Sequence, residues 1–102
     1  MNASLERHRA EIAALCQRFY VRRLDLFGSA AREADFGPDS DFDFLVTYEA
    51  AHATPALSDY FALRDALSAL LGRKVDLTMA SALRNPFVRA AIEASRLPLH
   101  GA

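Results

Sequence analysis

Two carboxylates one residue apart at the head of an apolar strand, in Ser40-Asp41-Phe42-Asp43-Phe44-Leu45-Val46, constrain this chain more than any other stretch. Residues i and i+2 of a strand project to one face, so Asp41 and Asp43 point together while Phe42 and Phe44 supply apolar contacts. Like charges held side by side repel, and a cation between them relieves the strain. Magnesium is the natural candidate, a hard ion that takes one or two carboxylates and leaves its other positions to water and phosphate oxygens. Upstream, Leu26-Phe27-Gly28-Ser29-Ala30-Ala31-Arg32 ends another apolar strand in a small-residue turn. Glycine lets the backbone approach a phosphate closely, and Ser29 offers a hydroxyl and an N–H. A helical turn over residues 30–33 would aim its N-terminus at the anion, and Arg32 adds a fork of donors.

The rest of the chain reads as alternating elements. Helical spacing of Leu5, Ile12, Leu15, Cys16 and Phe19 predicts a helix over 4–19, with Ser4 as N-cap. Strands are expected over Val21–Phe27, Phe42–Tyr48 and residues 74–79. Between the last two, residues 57–71 read as the clearest helix, with Leu57, Phe61, Leu67, Leu70 and Leu71 as core candidates and Gly72 as its stop. Asn85-Pro86 predicts a further helix to about residue 95, with Pro86 in its first turn; Phe87, Val88 and Ile92, with Leu97 and Leu99, are expected in the core, with a partner interface as the alternative for a portion of them. Residues 97–100 read as an extended tail. The order α-β-α-β-α-β-α favours an α/β layer structure, with about four helices flanking a sheet of three strands. No repeat or linker divides the 102 residues, so one domain, 1–102, is expected.

A third carboxylate completes the pattern. Asp76 sits inside the apolar run Lys74-Val75-Asp76-Leu77-Thr78, where a lone Asp is unfavourable unless paired or metal-bound. Should the third strand lie beside the second, Asp76 joins Asp41 and Asp43 in a site for one or two magnesium ions, as a metal ligand or general base. A calcium loop starting at Asp39 is excluded, since Phe44 and Ala50 stand where that loop needs glycine and glutamate.

Taken together, the Gly28-Ser29 turn, the Asp41-x-Asp43 pair and the third-strand Asp76 resemble the minimal nucleotidyltransferases of the DNA polymerase beta superfamily. The likeness runs from about residue 20 to residue 100. It implies a mixed three-stranded sheet with flanking helices and magnesium-dependent transfer of a nucleoside monophosphate. Matched position by position, Asp41, Asp43 and Asp76 correspond to the catalytic metal ligands, while Gly28, Ser29, Arg32 and Ser40 fall on the nucleotide-binding segment. Glu33 stands where family members often carry glycine. Prokaryotic proteins of this kind act as antitoxins paired with a HEPN-domain ribonuclease, and some transfer AMP from ATP to a tyrosine of that toxin. The resemblance therefore implies Mg2+, ATP as donor and a HEPN-domain toxin as partner. A rival from another class is a fold-retaining antitoxin that neutralises its toxin by stoichiometric binding.

Bulk properties agree with a soluble globule. The chain is 52% hydrophobic with a formal net charge of -1, which gives no general footprint for nucleic acid or a membrane surface. No run approaches a membrane span and no signal segment opens the chain, so a cytoplasmic location is expected. Cys16 has no disulfide partner and falls on an apolar stripe, which reads as a small buried residue. His8, His52 and His100 are scattered rather than set at metal-ligand spacing. Tyr48 and Tyr60 are expected to pack their rings and turn their hydroxyls to water.

Overall fold

The computed structural model describes residues 3–28, 31, 37 and 41–101. Among the described residues, four α-helices and four strands follow one another as α1 (Ala3–Arg7), α2 (Arg9–Arg18), β1 (Val21–Phe27), β2 (Phe42–Tyr48), α3 (Leu57–Leu71), β3 (Val75–Met79), α4 (Pro86–Ser95) and β4 (Leu97–His100). Single 3-10 turns at Ala50–His52 and Ala80–Ala82 lead out of β2 and β3. The mixed α/β architecture is as expected, but the sheet has four strands rather than three, in the order β3-β2-β1-β4. The fourth is the expected tail: Leu97 pairs with Leu26 and Pro98 with Asp25, antiparallel to β1. Pro98 lacks a donor and is tolerated because β4 forms an edge.

β1 and β2 run antiparallel, with Leu26 opposite Phe44 and Phe27 opposite Asp43. β2 and β3 run parallel through the α3 crossover, with Phe42 opposite Val75 and Asp43 opposite Asp76. Strand alternation then sorts the side chains onto two faces. Leu24, Leu26, Phe42, Phe44, Val46, Val75, Leu77 and Leu99 make one face and form a single core with Leu5, Ile12, Cys16, Leu63, Leu67 and Leu71 of α1, α2 and α3. Burial pushes the Cys16 thiol up to about 12, in keeping with an inert core residue.

The opposite face carries Asp25, Leu45, Asp43 and Asp76. α4 reaches it through Arg96, just past its end, whose Nη1 lies 3.5 Å from Asp25 Oδ2. Asp25 is fully buried and also takes Arg23 Nε at 3.0 Å. Asn85 caps α4 by accepting from the Phe87 and Val88 N–H groups at 2.9 and 3.4 Å, and Pro86 follows at the first helical position. Gly72 ends α3 in the left-handed region at φ +66.

Several expectations are corrected. The first helix is broken at His8, whose φ of -102 and ψ of 11 leave the helical region and whose Nδ1 lies 2.8 Å from the Ser4 carbonyl oxygen. Ser4 lies inside α1, which begins at Ala3, and is not its N-cap. Leu57, Phe61, Phe87 and Val88 are exposed rather than buried, because each helix turns only one stripe inward: Leu63, Leu67 and Leu71 in α3, and Ile92 in α4. Neither tyrosine hydroxyl turns to water as expected. Tyr60 donates to the Leu77 carbonyl, and the Tyr48 hydroxyl is buried without a partner among the described residues. Burial, with Tyr60 and Asp59 adding to it, pushes the Tyr48 hydroxyl up. Of the helical turn expected over residues 30–33, only Ala31 lies among the described residues, where it forms a turn.

Candidate active site

The C-terminal end of β1 and the N-terminal ends of β2 and β3 meet at one end of the sheet, because β1 runs against the other two. Gly28 terminates β1 there with φ +73, and an added Cβ would fall 2.4 Å from Asp43 Oδ2. Only glycine leaves room for that carboxylate to lie against the turn, and it also adopts the left-handed backbone without cost. One strand over, Asp76 stands in register with Asp43. Neighbouring strands lie about 4.8 Å apart, and in-register residues project to the same face. Gly28, Asp43 and Asp76 are thus brought together from three separate segments.

Asp41 precedes β2 by one residue and is half-exposed, and its Oδ2 lies 3.8 Å from Lys74 Nζ. Asp76 is exposed and has no hydrogen-bonding or ionic partner among the described residues. Also among the described residues, no three Asp, Glu, His or Cys side chains form a set that would hold a metal ion by themselves. The expected three-way convergence is therefore not a closed cage. Three like charges repel, and the Lys74 ammonium draws Asp41 toward itself instead.

Magnesium asks for less than a cage. It binds through one or two carboxylates and completes its shell with waters and substrate phosphates. The donors here are hard carboxylate oxygens, and the missing Cβ at Gly28 leaves Asp43 its place beside the turn. The residues present therefore fit such an ion.

Of the remaining expected site residues, Ser29, Arg32 and Ser40 lie outside the described residues. Two basic residues escaped the sequence reading. Lys74 is the ammonium beside Asp41, and Arg73 Nη1 donates to the Gly37 carbonyl oxygen at 2.7 Å, tying the β1–β2 connection to the start of β3. Ser68 Oγ of α3 in turn donates to the Arg73 carbonyl oxygen at 2.7 Å. The signal was present, since Arg73-Lys74 immediately precedes the strand that carries Asp76. The histidines have other surroundings: His52 stacks on Tyr20 with ring centroids 3.8 Å apart, beside a cavity of about 590 Å³ at the opposite end of the sheet.

A family model described as a nucleotidyltransferase domain matches residues 10–99. The protein adenylyltransferase MntA of Thermococcus cleftensis is 36% identical over 88 residues, which cover 86% of this chain and 82% of that protein. A solved structure described provisionally as a minimal nucleotidyltransferase superposes with a TM-score of 0.76 at 34% identity, covering 92% of this chain and 91% of the other. The fold is shared as well with the MNT antitoxin complex of a tri-AMPylated HEPN toxin from Shewanella oneidensis, at a TM-score of 0.69 and 18% identity, over 96% of this chain and 73% of the other. With the family model matched over residues 10–99 and the fold shared at 34% identity, this chain belongs to the nucleotidyltransferase-domain family.

Proposed function

We propose that the chain is a magnesium-dependent protein adenylyltransferase that transfers AMP from ATP to a tyrosine of a partner HEPN ribonuclease toxin and so acts as its antitoxin. The observation that carries the proposal is the register of Asp43 with Asp76 beside the side-chain-free Gly28. The adenylyltransferase relative and the antitoxin-type fold neighbour support the choice of AMP and of a HEPN partner.

In this reading Asp41, Asp43 and Asp76 hold the ion. When bound, magnesium neutralises polyphosphate charge and lowers the pKa of an attacking hydroxyl. Gly28 and Ser29 receive the triphosphate on backbone N–H groups, and Arg32 and Ser40 add side-chain donors. The tyrosine oxygen attacks the α-phosphorus of ATP and forms the new P–O bond. The bond from that phosphorus to the α,β-bridging oxygen breaks, and pyrophosphate leaves with the electron pair. Asp76 accepts the phenolic proton and passes it to water. Holding both reactants in line is the main contribution such a site makes, since phosphoryl transfer needs little covalent help.

The test is the mass of the HEPN protein after incubation with this chain, Mg2+ and ATP. We expect a gain of one or more AMP units, lost with Asp43→Ala. A second reading, neutralisation by stoichiometric binding alone, is favoured by the ion pair between Asp41 and Lys74. It predicts unchanged mass while the ribonuclease is still blocked, and that result would overturn the enzymatic proposal.

A further inference from the structure

Resting on the adenylyl-transfer reading, we infer that the face of α3 carrying Phe61, Arg64, Asp65 and Ser68 is the acceptor ledge, which seats the tyrosine-bearing segment of the partner beside Asp76. The inference comes from direction. In an in-line displacement the attacking and leaving oxygens lie on opposite sides of the phosphorus. Gly28, which receives the phosphates, lies on the β1 side of Asp43, whereas Asp76 lies on the β3 side. Pyrophosphate therefore departs toward β1, and the acceptor hydroxyl arrives from β3.

On that side the structure has an open cleft of about 340 Å³, lined by Arg64, Asp65, Ser68, Lys74, Val75 and Asp76. Residues three and four apart share one helix face, so Phe61, Arg64, Asp65 and Ser68 form a continuous stripe along α3 that ends at the cleft beside Lys74 and Asp76. Arg64 spreads over the exposed Phe61 ring, its Cζ 4.6 Å from the centroid, and Asp65 Oδ1 lies 3.1 Å from its Nη2. The guanidinium thereby presents a flat cationic surface, and such a plane stacks well on an aromatic ring. Lys74 Nζ is largely exposed at the end of the stripe, where an ammonium favours a phenol oxygen as it becomes negative. A planar cation, an aromatic neighbour and an ammonium suit a tyrosine better than a serine or a sugar hydroxyl, which have no ring to stack.

Steady-state kinetics with the full chain, Mg2+, ATP and the HEPN protein test this. Arg64→Ala is expected to raise the KM for the HEPN protein about tenfold while leaving the KM for ATP within about twofold. Arg64→Lys, which keeps the charge but not the plane, is expected to recover less than half of the loss. Phe61→Ala provides a second variant at an exposed position, with a smaller rise in the same KM. An unchanged KM for the HEPN protein in both alanine variants would overturn the ledge, as would a rise confined to the KM for ATP. Absence of transfer by the wild-type chain would instead defeat the parent reading, so the two failures are distinguishable.

Discussion

Asp25 shows how one residue ties distant parts of this chain together. Among the described residues it is the one buried charged side chain, held by Arg23 from its own strand and by Arg96 beyond the end of α4. An unpaired carboxylate at that depth would be strongly unfavourable, so the two guanidinium groups are a condition of the fold. Gly28 matters in a different way. Gly28→Ala places a methyl group 2.4 Å from Asp43 Oδ2 and forces an L side chain into φ +73. We expect the variant to fold, losing about 1–2 kcal/mol for the left-handed backbone. Its AMP-transfer rate should fall about 100-fold, because Asp43 must move by the order of an ångström. Transfer kinetics alongside a urea melt check both, and wild-type transfer would remove Gly28 from the site.

Asp76 and Asp25 also mark what sequence could and could not reveal at this scale. Both interrupt apolar strands, in Val75-Asp76-Leu77 and Leu24-Asp25-Leu26. Asp76 stood out because two other carboxylates awaited a third. Asp25 did not, because its second partner lies 71 positions away and no local pattern announces it.

At the scale of elements, the strands that carry the site were legible because alternation and turn chemistry are local. β4 was not. It is four residues long, contains a proline and pairs with a strand some seventy residues upstream, so its identity as a strand exists only in the assembled sheet. The break at His8 was equally hidden, since one residue out of the helical region hardly disturbs the spacing of Leu5, Ile12 and Cys16. Apolar composition also overstated the helix cores. Phe87 is 83% exposed although it sits among apolar neighbours, whereas Leu99 of the edge strand is 3% exposed. Leu99→Ala is therefore expected to cost about 2–4 kcal/mol, and Phe87→Ser to stay within about 0.5 kcal/mol. Denaturant titration decides it. Equal effects would mean that β4 does not belong to the core.

Across the whole molecule, three helices bury one face of the sheet, and α4 reaches the other through Arg96. No helix among the described residues is long and apolar enough to cross a membrane. The carboxylate end has the Gly28 turn after β1 on one side and the α3 cleft beyond β3 on the other. In the proposed reading, donor and acceptor would have separate approaches to this end of the sheet, a division that follows from β1 running against β2 and β3. Manganese titration followed by paramagnetic broadening of backbone amide signals tests the shared ion most directly. Low Mn2+ should broaden Gly28, Asp41, Asp43 and Asp76 together, and excess Mg2+ should restore them. Broadening that spares Asp76, or that spreads evenly over exposed acids such as Glu11 and Asp59, would contradict a common site.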